Sequence, residues 1–354
     1  MKRSNKARKS DSVKIKRLLL IVFIVLMVAA GATLIFIYSM FYKSNTSEKT
    51  GIIYIYEENS YEELIEILKS SGNIRSINSF ILVARIEELE RKMKPGRYKI
   101  SPGMNNLELI RRFALGLQTP HNLTISGNIR DAGKLAAIFS SKTSSDSSQI
   151  LLALTDDKFI DSLGFNKYTF PAIFLQNTYE IYWTISPKEL IRRMKREYDL
   201  FWNESRIEKA KALGLTPVEI ATLASIVAME SNIQSEHPII AGVYLNRLKT
   251  GMPLQADPTV KFALNDPSIR RILFKHLKIN SPYNTYIHRG LPPGPIVIPS
   301  PAVIDSVLNY SKHRYFYFCA SSSLDGSHAF SATLSQHNIN AKAYHNAIRS
   351  ISLR

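Results

Sequence analysis

The 354-residue sequence predicts an α+β protein with one N-terminal transmembrane helix, a small α+β module and a larger α+β domain. Three observations predict this class. Residues 18–42 carry no charged side chain. Between residues 52 and 139, a β-branched or aromatic run followed by a turn and an amphipathic segment occurs three times. Helical patterns dominate from there to Lys249, after which prolines punctuate the chain.

Taken in order, the core LLLIVFIVLMVAAGATLIFIY is long enough to span a bilayer. Residues 1–17 form a basic tail with eight Lys or Arg against one acid, Asp11. The positive-inside rule puts that tail in the cytoplasm and everything after Lys43 outside. A cleaved signal peptide is the competing reading, since Met27-Val28-Ala29-Ala30 offers small residues. The apolar run exceeds a typical signal-peptide core, which favours an uncleaved single-pass anchor. The tail supplies +7 of the formal net charge of +17, leaving +10 on the rest. That remainder suits a solvated basic face or an anionic polymer; no motif points to nucleic acid. Cys319 is the only cysteine, so an intrachain disulfide and multi-cysteine zinc sites are excluded.

Residues 43–50 (KSNTSEKT) read as a polar linker. The first strand–turn–helix unit is Ile52–Tyr56 with Tyr61–Lys69, and the second is Arg97–Ile100 with Leu107–Leu115. Ile74–Met93, between them, is helical in pattern, which gives a module over residues 51–118. The third unit, Leu123–Ile125 with Ala132–Phe139, leads into the main domain at 119–354. Residues 141–148 read as an exposed loop or a connection between helices. Pro187–Leu213 reads as one helix with Leu190, Met194, Tyr198 and Phe201 as a core stripe, closed by Gly214. Pro238–Lys249 reads as another, with Ile240, Val243, Tyr244, Arg247 and Leu248 in phase and Gly251 at its C-terminal cap. From Pro253 to Pro301 the chain reads as loops suited to binding. A strand at Tyr315–Ala320 and a helix near Asn340–Ile351 close the domain.

The segment Thr216–Glu230 carries the chemistry. Thr216 is a good N-cap, Pro217 suits the first helical position and Glu219 completes a capping box. Leu223, Ile226 and Val227 lie seven, four and three residues before Glu230, so all four share one apolar face. A carboxyl buried there, near the negative end of the helix, resists ionisation and can act as a general acid. The alternative is a solvated helix Glu, with His237-Pro238 ending the helix soon after.

Five motifs occur in order, the first within this segment. Leu223-Ala224-Ser225-Ile226-Val227 precedes Glu230, and Asn246-Arg247-Leu248 leads to Gly251-Met252, Leu254-Gln255 and Asp257-Pro258-Thr259-Val260. Tyr283-Asn284-Thr285-Tyr286, Gly290-Leu291-Pro292-Pro293-Gly294-Pro295-Ile296, and His328, Phe330-Ser331, Thr333 and His337-Asn338 complete the set. Over about residues 165–350 the chain strongly resembles the YceG-like family of endolytic murein transglycosylases. The resemblance implies a LysM-like N-terminal module and a catalytic domain that cuts the β-1,4 bond between N-acetylmuramic acid and N-acetylglucosamine without water, leaving 1,6-anhydro ends. It places the catalytic glutamate at Glu230 and implies peptidoglycan strands, and wall-synthesis enzymes, as partners. Two departures stand out. Ala228 occupies a position where the family often has a second acid, and Pro171–Tyr179 keeps Asn177, Thr178 and Tyr179 but lacks the acids of the family's upstream motif.

Gln255 and Asn284 can hydrogen-bond acetamido or hydroxyl groups, and Tyr283 and Tyr286 can stack on sugar faces. Asp257 either orients a neighbour and stabilises positive charge at C1 or is an ordinary turn acid before Pro258. His328, His337 and Asn338 either line the cleft or lock loops. Arg247 reads as an anchor for a carboxylate or loop carbonyl. The His spacing does not match a helical metal pair, so neither metal nor cofactor is expected. Two alternatives remain: a non-catalytic wall-binding scaffold, and a water-using muramidase with Asp257 as second carboxylate.

Overall fold

The computed structural model describes residues 4–352 apart from 267 and 270. The chain divides into two compact units, Met1–His121 with Tyr182–Thr184, and Asn122–Ile181 with Ile185–Arg354.

The first unit holds α1 (Ser4–Tyr42), β1 (Gly51–Ile55), α2 (Tyr61–Ser71), α3 (Ile77–Ile86), α4 (Leu89–Lys92), β2 (Gly96–Ile100) and α5 (Asn106–Leu115). Within α1 the stretch Lys14–Tyr42 is, among the described residues, the one straight helix long and apolar enough to cross a membrane, and none of its most apolar window is buried. β1 and β2 pair antiparallel with Ile53 opposite Tyr98. Their inward side chains join Leu64, Leu68, Phe80, Val83, Leu109 and Phe113 in one core, so the period-two and helical patterns meet on a common face. Ser60 and Glu63 form a capping box at the start of α2, and Gly72 ends it with a left-handed backbone.

Two expectations need correction here. Ile74–Met93 is two helices, because Glu88 adopts a left-handed backbone at φ 56° and breaks the phase. Residues 43–50 do not run free: Asn45 and Thr46 are buried. The Asn45 amide donates to Asn106 Oδ1 at 2.6 Å and to the Ser76 carbonyl at 2.9 Å. Polar composition marks a linker only when its hydrogen bonds go to water.

The second unit holds β3 (His121–Ile125) apart from its first residue, α6 (Ala132–Ser140), α7 (Ser147–Leu154), α8 (Asp157–Ser162), β4 (Asn177–Ile181), α9 (Pro187–Phe201) and α10 (Glu204–Ala212). It continues with α11 (Pro217–Glu230), α12 (His237–Lys249), α13 (Asp257–Leu264), α14 (Pro301–Leu308), β5 (Tyr317–Ala320), β6 (His328–Ser331) and α15 (Leu334–Ser352). β3 pairs with β4. β5 and β6 pair antiparallel with Ala320 opposite His328. α11 lies at the centre, touching α10, α12, α13, α14 and the short turn Phe170–Ile173. Eight consecutive residues, Ile220–Val227, are therefore buried, and the expected single apolar face becomes burial on every side. The polar members of that run stay satisfied: Thr222 donates to the Val218 carbonyl at 2.8 Å, and Ser225 donates to Thr222 and accepts from the Ile296 amide at 3.0 Å.

The expected single helix over 187–213 is broken between α9 and α10, where Asn203 accepts from the Arg206 amide as a new N-cap. The closing helix begins at Leu334, six residues earlier than expected, and β6 was not anticipated. Two helices interrupt the supposed loops after Gly251, and Pro258 and Pro301 lie in their first turns. Proline there costs no hydrogen bond, so it opens a helix as readily as it breaks one.

Candidate active site

Glu230 is the last residue of α11, and Ser231 leaves it in extended conformation. The residue is half-buried: one side remains open while packed neighbours strip water from the carboxyl. Tyr244, fully buried on α12, donates its hydroxyl to Glu230 Oε1 at 2.5 Å. Its ring stands edge-on against Phe318 at 6.0 Å. Burial pushes the Glu230 pKa up to about 7, and the charge of Asp257 adds to the rise, while the Tyr244 hydrogen bond and Arg247 oppose it. Burial and the neighbouring carboxyl push the Tyr244 phenol well above its ordinary value, so it remains a donor.

Arg247, one turn after Tyr244, is buried. Its guanidinium donates to the Phe316 carbonyl at 2.7 Å and the Leu254 carbonyl at 2.6 Å, and it lies 5.5 Å from the centre of the Tyr317 ring. It is a carbonyl anchor, as its place in the helix suggested. The Leu254 carbonyl leads directly into Gln255, whose φ of 50° is unusual for a residue with a side chain. Buried Thr285 holds this corner: its carbonyl accepts from Gln255 N at 3.1 Å and its hydroxyl from Ala256 N at 3.0 Å. Gln255 is left exposed beside Asp257.

Asp257 is the first residue of α13, a helix rather than a turn, and it is exposed. Tyr286 donates its hydroxyl to Asp257 Oδ1 at 2.6 Å. Burial raises the Tyr286 phenol, with Asp257 and Glu230 adding to the shift. Glu230, Asp257, Tyr286, Tyr244 and Arg247 thus act on one another electrostatically.

The remaining expected site residues are placed otherwise. Asn284 is completely buried; its amide donates to the Leu277 and Ile279 carbonyls, each at 2.9 Å, and accepts from Tyr286 N at 3.0 Å. It shapes the loop that presents Tyr286. Tyr283 is buried against Phe262 at 4.7 Å and lines an apolar cavity of about 540 Å³ with Phe170 and Phe174. Burial pushes its phenol up to about 12. His328 presents Nδ1 to Glu236 Oε2 at 2.7 Å. His337 lies on α15 against the Tyr317 ring at 5.5 Å, with Nδ1 buried and no hydrogen-bond partner among the described residues. Burial, and then Arg247, lower its pKa. Asn338, next on α15, is exposed. In the altered upstream segment, Tyr179 is buried and donates to the Leu175 carbonyl at 2.8 Å, so its visible role is in the core.

Sequence reading missed Tyr244 as a site residue and Glu236 altogether. Tyr244 carried a signal: it is a phenol on a helix face otherwise counted as core, three residues before Arg247. Glu236 carried none, because its partner is 92 residues away.

Residues 53–343 match the YceG-like family. The chain belongs to this family. Among relatives of this YceG-like protein, the endolytic murein transglycosylase of Bacillus subtilis (strain 168) is 29% identical over 82% of this chain and 84% of its own length. That of Streptococcus pneumoniae (strain ATCC BAA-255 / R6) is 26% identical over 77% of this chain, which spans only 55% of that longer protein. The crystal structure of a yceG-like protein from Listeria monocytogenes aligns with a TM-score of 0.55 and 25% identity, covering 83% of this chain and 99% of the other.

Proposed function

We propose that this YceG-like protein is a membrane-anchored endolytic lytic transglycosylase that cuts peptidoglycan strands internally and leaves 1,6-anhydro-N-acetylmuramic acid ends. The observation that carries this reading is Glu230, a carboxyl raised to about 7 and held by Tyr244. It retains a proton near neutrality, as a general acid must. Glu230 gives that proton to the glycosidic oxygen as the bond to C1 breaks. The carboxylate then takes the proton of the muramic C6 hydroxyl as that oxygen bonds to C1. The tethered hydroxyl replaces water and benefits from a high effective concentration. Tyr244 donates to the carboxylate that exists between the two transfers. Asp257, oriented by Tyr286, supplies negative charge near the developing positive charge at C1, and exposed Gln255 binds an acetamido or hydroxyl group. Tyr283 and Asn284 support the loop, while His337 and Asn338 border the site.

In the same reading, α1 anchors the chain in the cytoplasmic membrane with its basic end inside, which fits its length and the charge of residues 1–17. The first unit is LysM-like, and a cutter held at the membrane reaches newly made strands beside the synthases that make them. The test is mass spectrometry of muropeptides after the full chain, in detergent micelles, has acted on purified peptidoglycan. Anhydro ends from the wild type and none from Glu230→Gln are expected. Reducing ends point to the water-using muramidase, and an absence of cuts by folded protein points to a wall-binding scaffold.

A further inference from the structure

We infer that Glu236 and His328 form a positioning clamp that holds the Glu230 carboxyl against the Tyr244 hydroxyl, governing turnover without touching the glycan. The inference rests on Glu230 being the acid–base.

A buried carboxylate is costly unless its oxygens are satisfied, and an apolar side chain would fill the same space more cheaply. Glu236 is buried with both oxygens engaged. Oε1 accepts from the His328 backbone amide at 2.7 Å. Oε2 accepts from His328 Nδ1 at 2.7 Å and from the Ser231 hydroxyl at 2.8 Å. Nδ1 must be the protonated nitrogen, since a carboxylate only accepts. Burial pushes the Glu236 carboxyl up, but the bonds from His328 and Ser231 together outweigh it and hold it below its ordinary value.

Two routes lead from this pair to Glu230. The first is covalent. Ser231 follows Glu230 directly, and besides donating to Glu236 its hydroxyl accepts from Ile233 N at 3.1 Å, while its carbonyl accepts from His237 Nε2 at 2.9 Å. These contacts fix Ser231 at φ −142°, ψ 142° and end α11 at the residue that bears the carboxyl. The second route is aromatic. The His328 ring stands edge-on to Phe318 at 5.5 Å, and Phe318 stands edge-on to Tyr244 at 6.0 Å. The pair therefore sets both the backbone that carries Glu230 and the ring that holds its carboxyl. A displacement near 1 Å at a reacting group costs about 10²-fold in rate.

The experiment compares His328→Ala, His328→Asn and Tyr244→Phe in the full chain, with kcat and KM followed by anhydro-end formation. His328→Ala is expected to lower kcat about 10²-fold with KM nearly unchanged. His328→Asn, whose amide nitrogen can replace Nδ1 toward Glu236 although it lacks the ring, should recover part of the loss, the part carried by the first route. The Ala and Phe changes should combine less than multiplicatively, because both act through the Glu230–Tyr244 contact. A KM effect without rescue by Asn would make His328 a glycan binder and overturn the clamp, as would unchanged kcat or multiplicative losses. Should His328→Ala fail to fold, Ser231→Ala cuts only the first route and must still lower kcat. If the wild type makes no cuts, the proposed function fails separately. Amide exchange at Ile233 then reads the clamp directly, with faster exchange in Ser231→Ala and His328→Ala than in His328→Asn expected and equal rates overturning it.

Discussion

Glu230 is an acid at neutral pH because packing removes its water, and Tyr244 keeps the shift from going further. In the proposed reaction Glu230 must be protonated to act, so the rate of strand cutting should fall as pH rises through about 7. A pH–rate profile on peptidoglycan checks this. Tyr244→Phe removes a hydrogen bond that lowers the Glu230 pKa, so this alkaline limb should move to higher pH while kcat drops. Asp257→Asn removes a charge that raises it, so the limb should move to lower pH. The same shift acts on stability. The folded state holds the Glu230 proton above the ordinary value of 4.5, so the contribution is fully present below 4.5 and lost as pH rises through about 7. Glu230→Gln should accordingly gain thermal stability relative to the wild type between pH 5 and pH 8, by roughly 2 °C or more in melting experiments. The inward-facing carboxyl of Glu230 at the end of a capped helix was legible in the sequence, through helix phase. Its partner Tyr244 was not, because periodicity marks a residue as inward-facing without saying which polar atom it meets.

At the scale of elements, α12 does two tasks from one turn: Tyr244 reaches Glu230 and Arg247 ties the Leu254 and Phe316 carbonyls. Arg247→Ala strands both carbonyls and should cost about 3 kcal/mol in urea unfolding. Arg247→Lys should recover little, since an ammonium on a flexible stem cannot reproduce the planar fork. Capping residues predicted the start of α11 well because a cap is local: Thr216, Pro217 and Glu219 meet within one turn. Breaks were harder to read. The left-handed Glu88 and the N-cap Asn203 interrupt runs whose composition stays helical. Pro258 and Pro301 resembled loop punctuation because proline in the first turn and proline between elements look alike without their neighbours.

For the whole molecule, each unit has its own core, one built around Phe80 and Phe113 and the other around α11. Calorimetry of the full chain in detergent should therefore resolve two transitions rather than one. The α1 segment should keep the chain in the membrane fraction after alkaline extraction, and release there would argue against a spanning helix. By itself the sequence determined the long apolar N-terminal helix, the strand–turn–helix plan, the capped helix of Glu230 and the family, since each rests on local spacing or ordered motifs. Only the tertiary structure decided which polar groups meet. It drew Asn284 and Tyr283 inward, set Tyr286 on Asp257 across 29 residues and paired His328 with Glu236 across 92. Such contacts depend on how distant elements pack, and a buried polar atom takes whichever partner that packing brings within hydrogen-bond reach.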